Sequence, residues 1–391
     1  MGNRRGIIAG AVAAGVVGAA AIGGIVAGAT VLARRAVEGE RLTEDPLEVV
    51  NLGEAQGLPA VVLRGVGAGL RGDYTLLLAQ DTIRARVGKV LGRESGNVVR
   101  ELLAVDRGEL RPGLRGRLTG WWYADPAELG LRVEEITYPT ELGDAKAWVI
   151  RPKLPRKKRW AVHVHGRGAE PVETLRGVLP LARAGVTSLV ISYRGDEGAP
   201  ASANGRFGLG ISESHDVDAA IAEVRRRGAE RVTLVGWSMG GTACMLAKQR
   251  GAHRDVIDGI LLDSPALDWP DVLRVHARAA GAPAPLADIG LELLRNNVVK
   301  SGVEDGLDAG SLVPERFARD LDVPVMIQAS RGDGYVPSAG AERLAQLRPD
   351  LVELRLVDKA KHVRLWNMDR DGWEDAAFRF ASTLPRPAFR G

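Results

Sequence analysis

The chain has 391 residues, 45% apolar and 26% charged, which suits a folded protein with a full core and more than one unit. Its single cysteine, Cys244, excludes an internal disulfide. The net charge of +4 is spread along the chain, aromatic residues are sparse, and nothing resembles an RNA- or DNA-binding motif, so nucleic acid is not an expected partner.

Gly6 to Ala33 carries no charge and lies between Arg4-Arg5 and Arg34-Arg35. That exceeds the ~20 residues that a helix needs to cross a bilayer. The expectation is a single-pass membrane anchor over residues 1–35, with Gly6-x-x-x-Gly10 and Gly24-x-x-x-Gly28 able to bring two such helices together. The paired arginines hardly decide orientation; an extracytoplasmic catalytic domain at the cell membrane is the favoured arrangement.

Residues 36–127 read as a charged linker, then a small accessory region of short β-like runs broken by glycine. Leu58 to Leu63, Tyr74 to Leu78 and Ile83 to Val87 are examples. Trp121-Trp122-Tyr123 before Asp125-Pro126 reads as a packed joint between this region and the next.

From about residue 128 onward, strand and helix alternate, as in a mostly parallel eight-stranded sheet with helices on both faces. Leu131 to Tyr138 and Ala145 to Ile150 form an opening antiparallel pair. Later strands are expected at Trp160 to His165, Val186 to Ser192, Val232 to Val235, Val256 to Asp263, Val323 to Ser330 and Val352 to Val357. Residues 269–320 interrupt the alternation where a lid would sit.

The strand Val232 to Val235 runs into Gly236-Trp237-Ser238-Met239-Gly240 and then a helix. Strand, G-x-S-x-G and helix together make the turn that lifts a serine hydroxyl above a sheet. A serine needs a base and the base needs an orienting acid, in the chain order Ser, acid, His. Asp333 directly follows the strand ending at Ser330, and His362 follows the last strand; the chain has six histidines. Ser238, Asp333 and His362 are the expected catalytic set, with Asp263 the alternative acid. The backbone amides of Met239 and Arg167 are the expected oxyanion donors, Gly168 being the near alternative to Arg167. His165 is expected to brace the loop after its strand, Asp196 and Glu197 to shape a pocket loop, and His276 lies in the proposed lid. No metal-ligand spacing and no persuasive dinucleotide motif occurs, so no cofactor is expected.

His165-Gly166-Arg167-Gly168, Gly236 to Gly241, Gly332-Asp333-Gly334-Tyr335-Val336-Pro337 and His362 together resemble the α/β-hydrolase superfamily. Within it the chain resembles the serine peptidase/esterase-like branch and is similar to membrane-anchored actinobacterial members. The resemblance implies an esterase, lipase, thioesterase or peptidase. Cleavage of a carboxylic ester or thioester on a small-molecule or lipid-like acyl substrate is the favoured reading. Peptidase or acyltransferase activity on the same residues is the alternative, and a non-catalytic binding protein the second. About 90 residues ahead of the hydrolase part are too few for the propeller of prolyl-oligopeptidase-type enzymes, which weakens the peptidase alternative.

Overall fold

The architecture is that of a computed structural model, which describes residues 23–39, 45–156 and 158–384. Two sheets organise it. The first is a closed six-stranded barrel in the order β1-β2-β5-β4-β3-β6, formed by Leu47–Ala55, Leu58–Gly65, Tyr74–Leu78, Ile83–Glu94, Asn97–Arg107 and Arg115–Thr119. Alternating side chains point inward, among them Leu47, Val49, Val61, Leu63, Leu76, Leu78, Ala85 and Val87. Closure depends on the pairing of Leu47 with Gly116. A Cβ on Gly116 would lie 1.9 Å from the Leu77 carbonyl oxygen, so only glycine admits the neighbouring strand.

The second sheet has eight strands in the order β14-β13-β12-β11-β9-β10-β8-β7. Strands β7 (Arg132–Thr140) and β8 (Gly143–Arg151) form an antiparallel hairpin at one edge. Then β9 (Arg159–Val164), β10 (Thr187–Ile191), β11 (Arg231–Trp237), β12 (Ile257–Asp263), β13 (Val325–Ser330) and β14 (Val352–Val357) pair in parallel. These parallel strands are nearly all buried because helices cover both faces.

The first helix, α1, spans residues 23–37. Helices α2 (Val178–Arg183), α3 (Glu213–Arg226), α4 (Met239–Arg250) and α5 (Trp269–Ala279) follow, then α6 (Pro285–Arg295), α7 (Pro314–Arg319), α8 (Ala339–Leu347), α9 (Leu365–Met368) and α10 (Arg370–Thr383). One face of the sheet holds α2 and α10, through Val178, Leu181, Trp373 and Phe380. The other face carries α3, α4 and the helices of the interrupting piece, through Val217, Met245, Leu273, Leu294 and Phe317.

The N-terminal expectation needs correction. Residues 1–22, including Gly6 and Gly10, lie outside the described residues. Among the described residues no helix is long and apolar enough to cross a membrane. The second half of the apolar run instead packs on its own protein. Ala29, Leu32, Ala33, Ala36 and Val37 are buried, and Gly290 of α6 lies against the Ala29 carbonyl and Ala33. A helix rich in Gly, Ala and Val suits a protein groove as well as lipid, and here the groove takes it.

Asn367 joins barrel to hydrolase. Its Nδ2 donates to the carbonyls of Asp73 (2.8 Å) and Gly120 (3.2 Å), and its Oδ1 accepts from Arg176 Nη1 (2.8 Å). The Asp73 amide returns a bond to the Asn367 carbonyl. Trp122 and Tyr123 pack on Trp366, their ring centroids 6.0 and 6.3 Å away, so the aromatic cluster is the expected joint. Replacing a buried asparagine with leucine strands three polar partners. Asn367→Leu is expected to lower unfolding free energy by about 3 kcal/mol in urea titration. A loss below about 1 kcal/mol, within the range of an ordinary surface change, would contradict this role for the joint.

Candidate active site

Ser238 follows the last residue of β11 and precedes α4. Its backbone stands at φ 51°, ψ −119°, a region that costs a non-glycine residue energy. Close packing enforces it. A Cβ on Gly240 would lie 2.3 Å from the Val164 carbonyl oxygen, and one on Gly236 would lie 2.8 Å from Gly240. The Ser238 amide donates to the Asp263 carbonyl (3.0 Å), and its carbonyl accepts from Ala266 and Gly241. The sheet and helix therefore hold the turn from three sides and leave the hydroxyl at its apex.

Asp333 and His362 reach that apex from the loops after β13 and β14. Ser238 Oγ lies 2.9 Å from His362 Nε2, and His362 Nδ1 lies 2.7 Å from Asp333 Oδ2. A carboxylate only accepts, so Nδ1 carries the proton and Nε2 faces the serine as a base. Asp333 is fixed in turn: its Oδ1 accepts the amides of Tyr335 (2.8 Å) and Val336 (2.9 Å). The structure thus brings together all three expected residues. Asp263, the alternative acid, is bound instead by Trp373 Nε1 and Ser264 Oγ, both at 2.8 Å. Burial pushes its carboxyl pKa up, against the pull of Arg176. Its contribution is structural, since Ser264 Oγ also receives the amide of Val363, next to His362.

The expected oxyanion donors flank the serine. Gly166 sits so near that a Cβ on it would lie 3.1 Å from Ser238 Cβ. The Arg167 amide has no acceptor among the described residues, and the Met239 amide opens α4, where no intrahelical acceptor exists. The Gly166 amide is itself engaged by Glu173 Oε2 (3.1 Å).

Several supporting residues stand around the site, some expected from the sequence and some not. His165, expected to brace its loop, does so as a buried double donor: Nδ1 to the Gly166 carbonyl (2.9 Å) and Nε2 to Asp196 (2.8 Å). Burial alone would lower its pKa, but the Asp196 carboxylate, the Gly166 carbonyl and Glu173 outweigh it and raise it. Tyr335 covers His362, ring centroids 5.1 Å apart, and His276 Nε2 meets the Tyr335 carbonyl at 2.9 Å. A cavity of about 880 Å³ adjoins the same loop, lined by Gly168, Ala169, Glu170, Asp196, Lys146 and Phe207. Among the described residues no cluster has metal-ligand character.

Two family models match the chain. The chain belongs to the alpha/beta hydrolase family, whose model matches residues 161–387. Residues 48–119 match a domain family of unknown function, and these are the barrel. No curated protein matches. Among solved structures the chain is similar to an esterase from Pyrococcus furiosus, at 16% identity, 66% of this chain, 94% of that one and a TM-score of 0.51. It is also similar to an acylaminoacyl peptidase from Pyrococcus horikoshii, at 16% identity, 88% of this chain, 57% of that one and a TM-score of 0.50. At such identities the likeness is one of fold. The narrower resemblance to membrane-anchored actinobacterial proteins gains nothing from these matches.

A raised histidine pKa has a definite sign. The charged His165 pair stabilises the fold fully below the unfolded value, near 6.5, and the contribution fades as pH rises through the raised folded value. Asp196→Asn is therefore expected to cost most in thermal stability near pH 6, and progressively less at pH 8 and 9. A cost that grows with pH would refute the charged-pair reading.

Proposed function

We propose that this chain is a serine hydrolase that cleaves a carboxylic ester or thioester through an acyl-enzyme on Ser238. The observation that carries the reading is the unbroken line from Ser238 Oγ to His362 to Asp333, with bonds of 2.9 and 2.7 Å. Ser238 Oγ attacks the acyl carbonyl carbon as its proton passes to His362 Nε2. The amides of Arg167 and Met239 receive the oxyanion. His362 then returns the proton to the departing alcohol or thiol, and the carbon–oxygen or carbon–sulfur bond breaks. Water, deprotonated by the same imidazole, attacks the acyl-enzyme; the bond to Ser238 Oγ breaks, His362 Nε2 returns the proton to Oγ, and the acid leaves. Asp333 keeps the proton on Nδ1 throughout and stabilises the imidazolium that forms.

An ester or thioester is favoured over a peptide because the accessory part is a closed barrel of 47–119, far smaller than a substrate-sieving propeller. The wild type is expected to take a fluorophosphonate label and to hydrolyse p-nitrophenyl esters, with Ser238→Ala losing both by about 10³-fold or more. Equal labelling of the two proteins would sink the assignment. A chain-length series of esters beside matched amides identifies the acyl group, and selective amide cleavage would reverse the order of ester over peptide.

Membrane association, expected from the whole apolar run, now rests on the residues ahead of α1. We propose it for those alone. The full chain is expected to co-sediment with vesicles; a chain that stays in the supernatant argues against it.

A further inference from the structure

Arg167 has two parts with different tasks. Its backbone belongs to the loop packed against Ser238, while its side chain reaches away to the end of α1. Nη1 donates to the carbonyls of Arg35 (2.9 Å) and Glu38 (2.6 Å), and Nη2 donates to the Tyr335 hydroxyl. No carboxylate among the described residues pairs with this guanidinium. Two of its partners are carbonyls at the end of α1: that of Arg35 in the last turn, where no intrahelical donor follows and the negative end of the helix dipole lies, and that of Glu38 just beyond.

The helix is itself held in place. Gly28 rests on Leu286 and Gly290 on Ala29, the Phe207 amide donates to the Val37 carbonyl (2.8 Å), and Arg206 Nη2 pairs with Glu38 (2.9 Å). Gly290 is the tight point of the α1–α6 crossing: a Cβ there would lie 3.2 Å from the Ala29 carbonyl oxygen and 3.6 Å from Ala33 Cβ, so a larger side chain at this position would lift α1 away.

We propose that α1 completes the active site: its carbonyl end holds Arg167, and Arg167 passes that hold to the loop that carries an oxyanion donor. The Arg167 side chain is then a positioning residue. The inference rests on the serine-hydrolase reading above. His165 and Glu173 hold Gly166, the near side of this loop, while beyond it the Arg167 side chain is what ties the loop to α1. An oxyanion donor displaced by about 1 Å costs the transition state far more than the bound substrate.

The test uses the full chain and three variants: Arg167→Met, Arg167→Lys and Gly290→Leu. Steady-state hydrolysis of p-nitrophenyl acetate gives kcat and KM, and fluorophosphonate gives the rate of Ser238 modification. Arg167→Met is expected to lower kcat and labelling rate about 10- to 100-fold with KM changed by less than about 3-fold. Arg167→Lys, still a donor to carbonyls, recovers part of the loss. Gly290→Leu, far from the chemistry, gives a similar kcat loss. The double variant Arg167→Met/Gly290→Leu is no worse than the poorer single, because both cut one linkage. If Gly290→Leu lacks a cooperative thermal transition, Ala33→Leu, at a buried α1 position facing Gly290, makes the same test from the helix side.

Three results would overturn the proposal: an Arg167→Met kcat within about 3-fold of wild type, multiplicative losses in the double variant, or a loss confined to esters that carry a carboxylate, which would assign the guanidinium to substrate. Failure of the hydrolase reading looks different, since the wild type itself would then take no label.

Discussion

The close approach of backbone to backbone around Ser238 is the constraint on which the rest of the structure depends. Gly240 abuts the carbonyls of Val164 and His165, and Gly236 abuts Gly240 and Gly241. Neither position has room for a single extra carbon. The turn can therefore exist only if β9, β11 and α4 are all in place, and once they are, the serine has one orientation. The strain of its φ of 51° is carried by hydrogen bonds to Asp263, Ala266 and Gly241 from three different elements. The loops that bring Asp333 and His362 leave the adjacent strands β13 and β14, and the loop that carries Arg167 leaves β9 on the other side of β11, all at the C-terminal ends of the strands. Their meeting is a consequence of strand order, and the nucleophile turn sits near its centre.

Around this centre the supporting groups form a continuous polar scaffold beneath the reacting surface. His165 and Glu173 grip Gly166 from opposite sides, one donating to its carbonyl and the other accepting from its amide. Arg176, fully buried, donates to the carbonyl of Val363 and to Asn367, and so holds the chain just beyond His362. Asn367 hands that hold on to the barrel. Arg100 closes the sequence: its guanidinium donates to the carbonyls of Ala68, Leu70, Gly72 and Gly88, which shapes the loop that presents Gly72 and Asp73. Burial among neutral acceptors pulls the Arg100 pKa down to about 10, so it remains charged at neutral pH. The barrel thus touches the histidine loop through a short relay of buried bonds.

Much of this was legible in the chain because strand, turn and helix signals are local. Val232 to Gly240 announces the nucleophile turn, and Asp333 and His362 each stand within a few residues of a recognisable strand. The barrel was only half legible. Its closure depends on the pairing of Leu47 with Gly116, a contact across nearly 70 residues, and the bulges in β4 and β5 break the simple alternation. Residues 23–37 misled for a different reason. Hydropathy measures what a segment avoids, and water is avoided equally well in a bilayer and against α6. The pairing of His165 with Asp196 was invisible because the two lie 31 residues apart, and Asn367 showed nothing in sequence because its partners Asp73 and Gly120 lie 294 and 247 residues away.

The Asn367 joint also bears on how the molecule comes into being. Its bond to Asp73 spans 294 residues of sequence. The barrel precedes the hydrolase part in the chain, so the loop of Gly72 and Asp73, shaped by Arg100, is made well before the segment that carries Asn367. The segment that carries His362 and Asn367 follows β14 and so comes after every strand of both sheets. Without it Ser238 has no imidazole beside it, and the carbonyls of Asp73 and Gly120 have no Asn367 amide. Docking of this one segment both seats His362 beside Ser238 and joins barrel to hydrolase, so the Ser238–His362 contact and the joint depend on the same short stretch of chain.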